Sequence, residues 1–323
     1  MRALPAGQSQ SSHKIKTERM PKYPRSNRRD KGAHGRGANG GKKRRNPNSP
    51  SRINVASRSG RHGYDTRPRH KEHGLGGEQI EGRQAVRELL LGRRRRIREI
   101  WIANDIETSP VIEDILDLAR DQRVQVVNVS RRELDREARS ESPQGVLARA
   151  EAIEETSLAE LLVESRDAPL LLVAIDGVTD PGNLGAILRC CDGAGVDAVV
   201  LPRHRAVHVT PTVAKASAGA VEYLNMCVVG GLPSALAEMK QAGVFVLGLD
   251  DSADKNIFEI GDAAKQSICL VLGAEGAGIS RLARERCDLL VNIPMLGSLS
   301  SLNVSVATAL ATYEIVRSRS MNK

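Results

Sequence analysis

From Leu170 onward the chain alternates short, continuously apolar runs with helical segments: LLLVAID, NLGAILRCCDGAG, VDAVVLP, VTPTVAKASAG, YLNMCVV, LPSALAEMKQAG, VFVLGLD, ICLVLG, GISRLARERCD, LLVNIPM and a last helix from about Leu302 to Arg317. A run without polar alternation is a strand buried on both faces. Such strands joined by helices build an open, mostly parallel α/β sheet. In a sheet of this kind ligands gather beyond the carboxyl ends of the strands.

A smaller α/β unit precedes it over 77–150. EQIEGRQAVRELLLG sets Ala85, Val86, Leu89 and Leu90 at helical spacing. IREIWIA reads as a strand, VIEDILDLARDQ as a helix, VQVVNVS as a strand, and SPQGVLARA as a turn and short strand. Between helix and strand sits RRRR at 93–96, either a solvated loop or a phosphate-contacting one. The expected organisation is a disordered basic tail over 1–76, the small unit over 77–150, a charged linker over 151–169 and the large unit over 170–323.

Charge divides the chain along the same lines. Residues 1–75 carry 20 Lys/Arg against 4 Asp/Glu, a net +16 that leaves the rest at −7 within a total of +9. The tail is too poor in aliphatic residues to offset its ordering entropy, and runs such as KKRR at 42–45 favour contact with a polyanion. Five cysteines lie mostly in or beside apolar runs, with no C-x-x-C pair. That predicts no metal site and no disulfide framework, and fits a reducing cytosol. No apolar run approaches the ~20 residues of a membrane helix, and an apolar signal region is lacking at the N-terminus.

Three polar, glycine-rich loops follow strands: DGVTDPGN at 176–183, GAEGAG at 273–278 and LGSLSSLN at 296–303. GAEGAG has the spacing G-x-x-G-x-G rather than G-x-G-x-x-G, and the next strand ends in Pro294-Met295 without the acid that would hold a ribose 2′-hydroxyl. With no G-K-[ST] either, neither a dinucleotide fold nor a P-loop is expected. Singly, each polar residue here has a structural reading: Asn183 as the cap of a helix from Leu184, Ser300 or Ser301 as the cap of the last helix, Glu275 as a turn acid. Arg189 is harder to place. It falls mid-helix among Ile187, Leu188, Cys190 and Cys191, where a charge needs a partner or a task.

DGVTDPGNLGAILR, LVLGAEGAGISRLARERCDLLVNIPM and GSLSSLNVSVATALATYE resemble, in order and separation, the three motifs of the SPOUT methyltransferases. The nearest branch is that of the SpoU or TrmH-like RNA ribose 2′-O-methyltransferases. EGRQAVRELL and SPQGVLARA resemble the small substrate-binding domain ahead of the catalytic domain in RlmB-type enzymes of that branch, which act on a guanosine of bacterial 23S rRNA. The resemblance implies a deep C-terminal trefoil knot, a homodimer, a cytoplasmic location and S-adenosylmethionine as cofactor. It implies that main-chain groups around Leu272, Gly273, Ile293, Leu296 and Leu302 hold adenine and ribose. It further implies that Arg189 is the central catalytic residue, with Asn183, Glu275, Ser301 and Asn303 holding it and the substrate ribose in place. The competing readings are a tRNA guanosine or antibiotic-resistance-type rRNA 2′-O-methyltransferase, and an RNA-binding assembly factor.

Overall fold

The computed structural model describes residues 74–164, 168–204 and 208–320. The basic tail expected over 1–76 therefore lies outside the described residues except at its end. That end departs from expectation: order begins before Gly77. Leu75 is buried, its carbonyl accepts from the Val209 amide at 2.8 Å, and Gly76 bridges to Val209.

In chain order the first elements are β1 (Gln79–Glu81), α1 (Arg83–Gly92), β2 (Ile97–Ala103), α2 (Pro110–Asp121), β3 (Gln125–Val129), α3 (Arg131–Glu137) and β4 (Val146–Ala150). They form a four-stranded sheet in the order β1-β4-β2-β3, antiparallel except between β2 and β3. Ala85, Val86, Leu89 and Leu90 of α1 are buried, as their spacing predicts. Strand β1 is not legible in the sequence, because three residues are too few to show a period. The segment expected as a linker holds a short helix, α4 (Leu158–Val163), capped by Ser157 and seated by Leu158 and Leu161.

The larger sheet uses β5 (Leu171–Ile175), α5 (Pro181–Gly193), β6 (Ala198–Pro202), α6 (Pro211–Ala216), β7 (Asn225–Val229), α7 (Leu232–Gln241), β8 (Phe245–Leu249), β9 (Lys255–Asn256), β10 (Ile268–Leu272), α8 (Arg281–Arg284), β11 (Leu289–Asn292) and α9 (Val304–Ser320). Its order is β7-β6-β5-β10-β8-β11-β9 and every pairing is parallel. Alternate residues of each strand feed two cores. Leu171, Val173 and Ile175 pack with Leu184, Ile187 and Leu188 of α5 and Ala311 and Ile315 of α9. On the opposite face Leu172 and Ala174 pack with Leu236 and Met239 of α7 and Ala283 of α8. This two-sided burial is why the strands read as unbroken apolar runs.

Sheet topology positions the site. The chain runs outward through β5, β6 and β7, crosses to β8, and then inserts β10 between β5 and β8. Four neighbouring parallel strands, β5, β10, β8 and β11, thus discharge their following loops at one edge, where the strand order reverses. The first core cluster continues without a break into the small sheet, through Ile80, Ile100, Val146 and Ala148.

Candidate active site

Helix α5 starts earlier than Leu184. Pro181 occupies its first turn, where a fixed φ and a missing N–H cost nothing, and the Asp180 carboxylate accepts from the Asn183 amide at 2.7 Å. Asp180, not Asn183, is the cap. The Asn183 side chain is thereby free to reach across to the other loops. Helix α9 shows the same substitution of roles. It begins at Val304, and Asn303 Oδ1 accepts from the Ser305 amide at 2.9 Å and hydroxyl at 2.6 Å, so the cap is Asn303 and neither Ser300 nor Ser301.

These two asparagines meet on Glu275. Asn183 Nδ2 donates to Glu275 Oε1 at 2.8 Å, Asn303 Nδ2 donates to the same oxygen at 3.1 Å, and Asn303 Nδ2 also lies 2.9 Å from Asn183 Oδ1. One residue from each of the three predicted loops closes the triangle. A further stitch ties the first loop to the second: the Ser280 amide donates to Asp176 Oδ2 at 2.7 Å.

Beside the triangle opens a cleft of about 670 Å³. Leu272 and Gly273 floor it, Glu275 to Ile279 form one wall, and Ser301, Leu302 and Asn303 form another. Gly273 is compulsory. A Cβ there would stand 2.1 Å from the Gly278 carbonyl carbon, because Ala274 and Gly278 pair back to back across a tight turn. Gly276 and Gly278 have φ of 73° and 65°, and a Cβ added at either would meet nothing within 4 Å, so bare backbone faces the open space.

A fourth loop completes the cleft and has no counterpart among the three read from the sequence. Asp250 and Ser252 follow β8, and Arg284 of α8 donates to Asp250 Oδ2 at 2.6 Å and to Ser252 Oγ at 3.1 Å. Burial pushes the Asp250 carboxyl up, but the Ser252 hydroxyl and amide and the Arg284 charge outweigh it and leave the pKa below the ordinary value. A signal exists in the sequence: LDDS follows an apolar strand, as the other loops do, but carries no glycine run.

The remaining expected residues sit apart from the triangle. Arg189 lies six residues beyond Asn183, about 120° around the helix. Ile187, Leu188 and Cys191 turn inward while Arg189 is exposed, and among the described residues it has no hydrogen-bond or ion-pair partner. The apolar neighbours that suggest a buried charge are on the other side of α5. Ser301 lines the cleft without joining the triangle. Of the five main-chain positions, Leu272, Gly273 and Leu302 line the cleft; Ile293 and Leu296 do not, and Leu296 is 98% exposed. No cluster of three or more metal-ligating side chains occurs among the described residues. Burial pushes the Cys191, Cys227 and Cys269 thiols up, which keeps them protonated and inert.

The four Arg at 93–96 do not form the uniform loop that the sequence suggests. Arg93, Arg94 and Arg96 are exposed, although Arg94 donates to the carbonyl of Tyr223, whereas Arg95 is bound inside an ion pair with Glu222.

Family models match the chain twice, as the SpoU rRNA Methylase family over residues 170–313 and as RNA 2′-O ribose methyltransferase substrate binding over 79–156. A 23S rRNA (guanosine-2′-O-)-methyltransferase RlmB of Pseudomonas aeruginosa is 42% identical over 245 residues, covering 75% of this chain and 97% of that one. The chain belongs to the SpoU rRNA methylase family. A putative TrmH family tRNA/rRNA methyltransferase of Bacillus subtilis is 37% identical, across 74% of this chain and 95% of its own length. Among solved structures, the SpoU methyltransferase AviRb of Streptomyces viridochromogenes in complex with AdoMet superposes with a TM-score of 0.63 at 27% identity, covering 75% of this chain and 89% of that one. The family's α/β methyltransferase fold, with a substrate-binding sheet ahead of the catalytic sheet, is therefore the fold of this chain.

Proposed function

We propose that this SpoU-family enzyme methylates the ribose 2′-hydroxyl of a guanosine in 23S rRNA with S-adenosylmethionine. The observation that carries the reading is the triangle of Asn183, Glu275 and Asn303 at the mouth of a cleft walled by bare backbone. Its chain context supports the substrate, since the RlmB relative aligns over nearly its whole length. The cleft suits the cofactor: its volume lies within the ~300–1,000 Å³ of small-molecule sites, and glycine-lined backbone lets an adenosine approach closely.

Main-chain groups around Leu272, Gly273 and Leu302 would hold adenine and ribose. The same proposal includes main-chain groups around Ile293 and Leu296 as holding adenine and ribose, although neither lines the cleft in this structure. When bound, S-adenosylmethionine supplies an activated methyl group, so the protein needs no covalent nucleophile of its own. The task left to the chain is to present the 2′-oxygen in line and to stabilise the charge that develops on it. Arg189 suits the second task. Guanidinium stays protonated in proteins, so its role is to bind a substrate phosphate and the developing oxyanion, not to act as a base. Its exposure and lack of a partner among the described residues leave its donors available to RNA. Asn183, Glu275 and Asn303 brace the three loops at the cleft mouth, and Ser301 adds a hydroxyl at the cleft wall.

The same reading includes a homodimer. Val306, Leu310 and Tyr313 make an exposed apolar stripe on α9, continued by Leu296 and Leu299 in the preceding loop. A patch of that kind is suited to a second copy of the chain. It includes the trefoil knot that the family resemblance implies, in a region where Arg319 at the end of α9 donates to the carbonyls of Ala264, Gln266 and Leu170. It retains the division at 77–150, 151–169 and 170–323, a cytoplasmic location consistent with five unpaired thiols, and a basic tail that adds RNA affinity.

Incubation with labelled S-adenosylmethionine and either unmodified rRNA or unmodified tRNA, followed by nucleoside mass spectrometry, tests the proposal. Labelled 2′-O-methylguanosine from rRNA alone is the expected result. Label in tRNA alone would move the enzyme to the substrate class that the name of the Bacillus relative also mentions. No label in either would overturn the proposal.

A further inference from the structure

The four-stranded sheet does not hang from a linker. It is stapled to the catalytic sheet along one seam, and the staples are polar. Arg95 Nη2 and Nε donate to the two carboxylate oxygens of Glu222 at 2.6 and 3.0 Å, while Nη1 donates to the carbonyls of Gly77 at 2.8 Å and Glu151 at 2.6 Å. Both partners are almost sealed from solvent, with side-chain exposures of 6% and 2%. Alongside, Arg94 donates to the Tyr223 carbonyl at 2.8 Å and to Asn225 Oδ1 at 2.9 Å, and the Tyr223 hydroxyl donates to Glu88 at 2.6 Å. The approach is close enough that a Cβ on Gly219 would stand 2.4 Å from Glu88 Cβ.

Apolar contacts are non-directional and specify the setting of such a seam less sharply than polar ones. The core runs continuously beneath it, and hydrophobic packing that is only about the right size loses uniqueness before it loses stability. A buried ion pair behaves differently. Its net contribution to stability is small or negative against a hydrophobic pair of equal volume, but it admits only one geometry, since any displacement leaves a charge buried and unpaired. The chain places a buried Arg and a buried Glu in a seam otherwise packed by apolar side chains. That choice favours orientation over stability.

We infer that Arg95 and Glu222 are positioning residues for the RNA: they set the substrate-binding sheet at a fixed attitude to the catalytic cleft, so that RNA held by the first is delivered in register to the second. The inference rests on the RNA methyltransferase reading above. It assigns neither residue to the chemistry, because neither lines the cleft.

The test compares wild type, Glu222→Ala, Arg95→Lys, and the double replacement Arg95→Met with Glu222→Met. Measured for each are Tm, S-adenosylmethionine affinity, and kcat and KM on an unmodified 23S rRNA fragment. Glu222→Ala strands a buried guanidinium and is expected to lower Tm. The double variant replaces the pair by apolar groups of similar volume and is expected to recover Tm. A structural strut would recover RNA recognition with it. A positioning pair would not: the double variant is expected to keep wild-type cofactor affinity and kcat to within roughly threefold while KM for RNA stays raised by about tenfold or more. Arg95→Lys, which keeps the charge but loses the fork to Glu222, is expected to fall between. A KM in the double variant within about threefold of wild type would overturn the inference and leave the methyltransferase reading intact. Failure of the wild type itself to methylate the RNA would overturn both.

Discussion

Asn303 and Asn183 stand 120 positions apart in the chain and 2.9 Å apart in space, Nδ2 to Oδ1, and both donate to one oxygen of Glu275. Each is released for this by its helix start. Asp180 takes the capping role that Asn183 would otherwise fill, and Asn303 caps α9 with its oxygen while donating with its nitrogen. The triangle therefore ties the tips of three loops into one rigid rim.

Replacing Glu275 by Gln keeps the shape of the side chain and removes the charged acceptor shared by two amides. Hydrogen bonds to a charged group contribute about 1.5–3 kcal/mol each, so kcat is expected to fall roughly tenfold to a hundredfold. Cofactor affinity measured by titration calorimetry should change far less. Equal losses in both would mean that the triangle supports the cleft and not the reacting end.

Arg189→Ala removes an exposed guanidinium that has no partner among the described residues, and a loss of about 10²–10³ in kcat is expected for an oxyanion-stabilising donor. Arg189→Lys keeps the charge without the planar fork and should recover only part of it. Methyl incorporation at saturating cofactor measures both. Turnover near wild type in either variant would remove Arg189 from its proposed role.

At Gly273 an added methyl meets backbone and not a flexible side chain. Gly273→Ala is expected to destabilise the fold by about 1–3 kcal/mol and to abolish detectable cofactor binding by pushing the 274–278 turn away from the cleft floor. Urea midpoint and calorimetric titration report the two effects separately.

Asp250 has a pKa held below its ordinary 3.8. The folded chain thus binds that proton less tightly than the unfolded one. The stabilisation is fully present above the unfolded value and disappears as pH falls through the folded one. Asp250→Asn should therefore lower the urea midpoint at about pH 6 and make less difference as the pH approaches about 3. A difference that is constant with pH would show that the Arg284 pairing contributes no charge-dependent stability.

Deletion of residues 1–73 removes all 20 Lys/Arg of the basic segment and leaves the Leu75 contact with Val209 in place. The slope of log affinity for RNA against log salt is expected to become shallower by about 3 or more, the release of roughly four phosphate contacts. The methylated position should not change, because contacts to phosphate carry no base information. A shifted position would give the tail a part in recognition.

The catalytic sheet is legible in the sequence. Continuous apolar runs separated by helices could satisfy their backbone and bury both faces only as a parallel sheet, and the loops after the strands had to gather at one edge. Amphipathic spacing places Ala85, Val86, Leu89 and Leu90 correctly, since burial of a helix face follows the 3.6-residue repeat directly. Which polar side chain caps a helix and which one crosses to another loop is decided by tertiary structure. Asp180 and Asn183 are both good caps by type; Pro181 in the first turn makes Asp180 the cap, and the position of Glu275 decides where the freed Asn183 side chain goes. The exposure of Arg189 departs from its apolar sequence context for a related reason: neighbours in sequence are not neighbours around a helix. The pairing of Arg95 with Glu222 lies beyond sequence altogether. Two charges separated by 127 positions become partners only once a continuous core has folded the two sheets against each other and excluded the water that would otherwise solvate them.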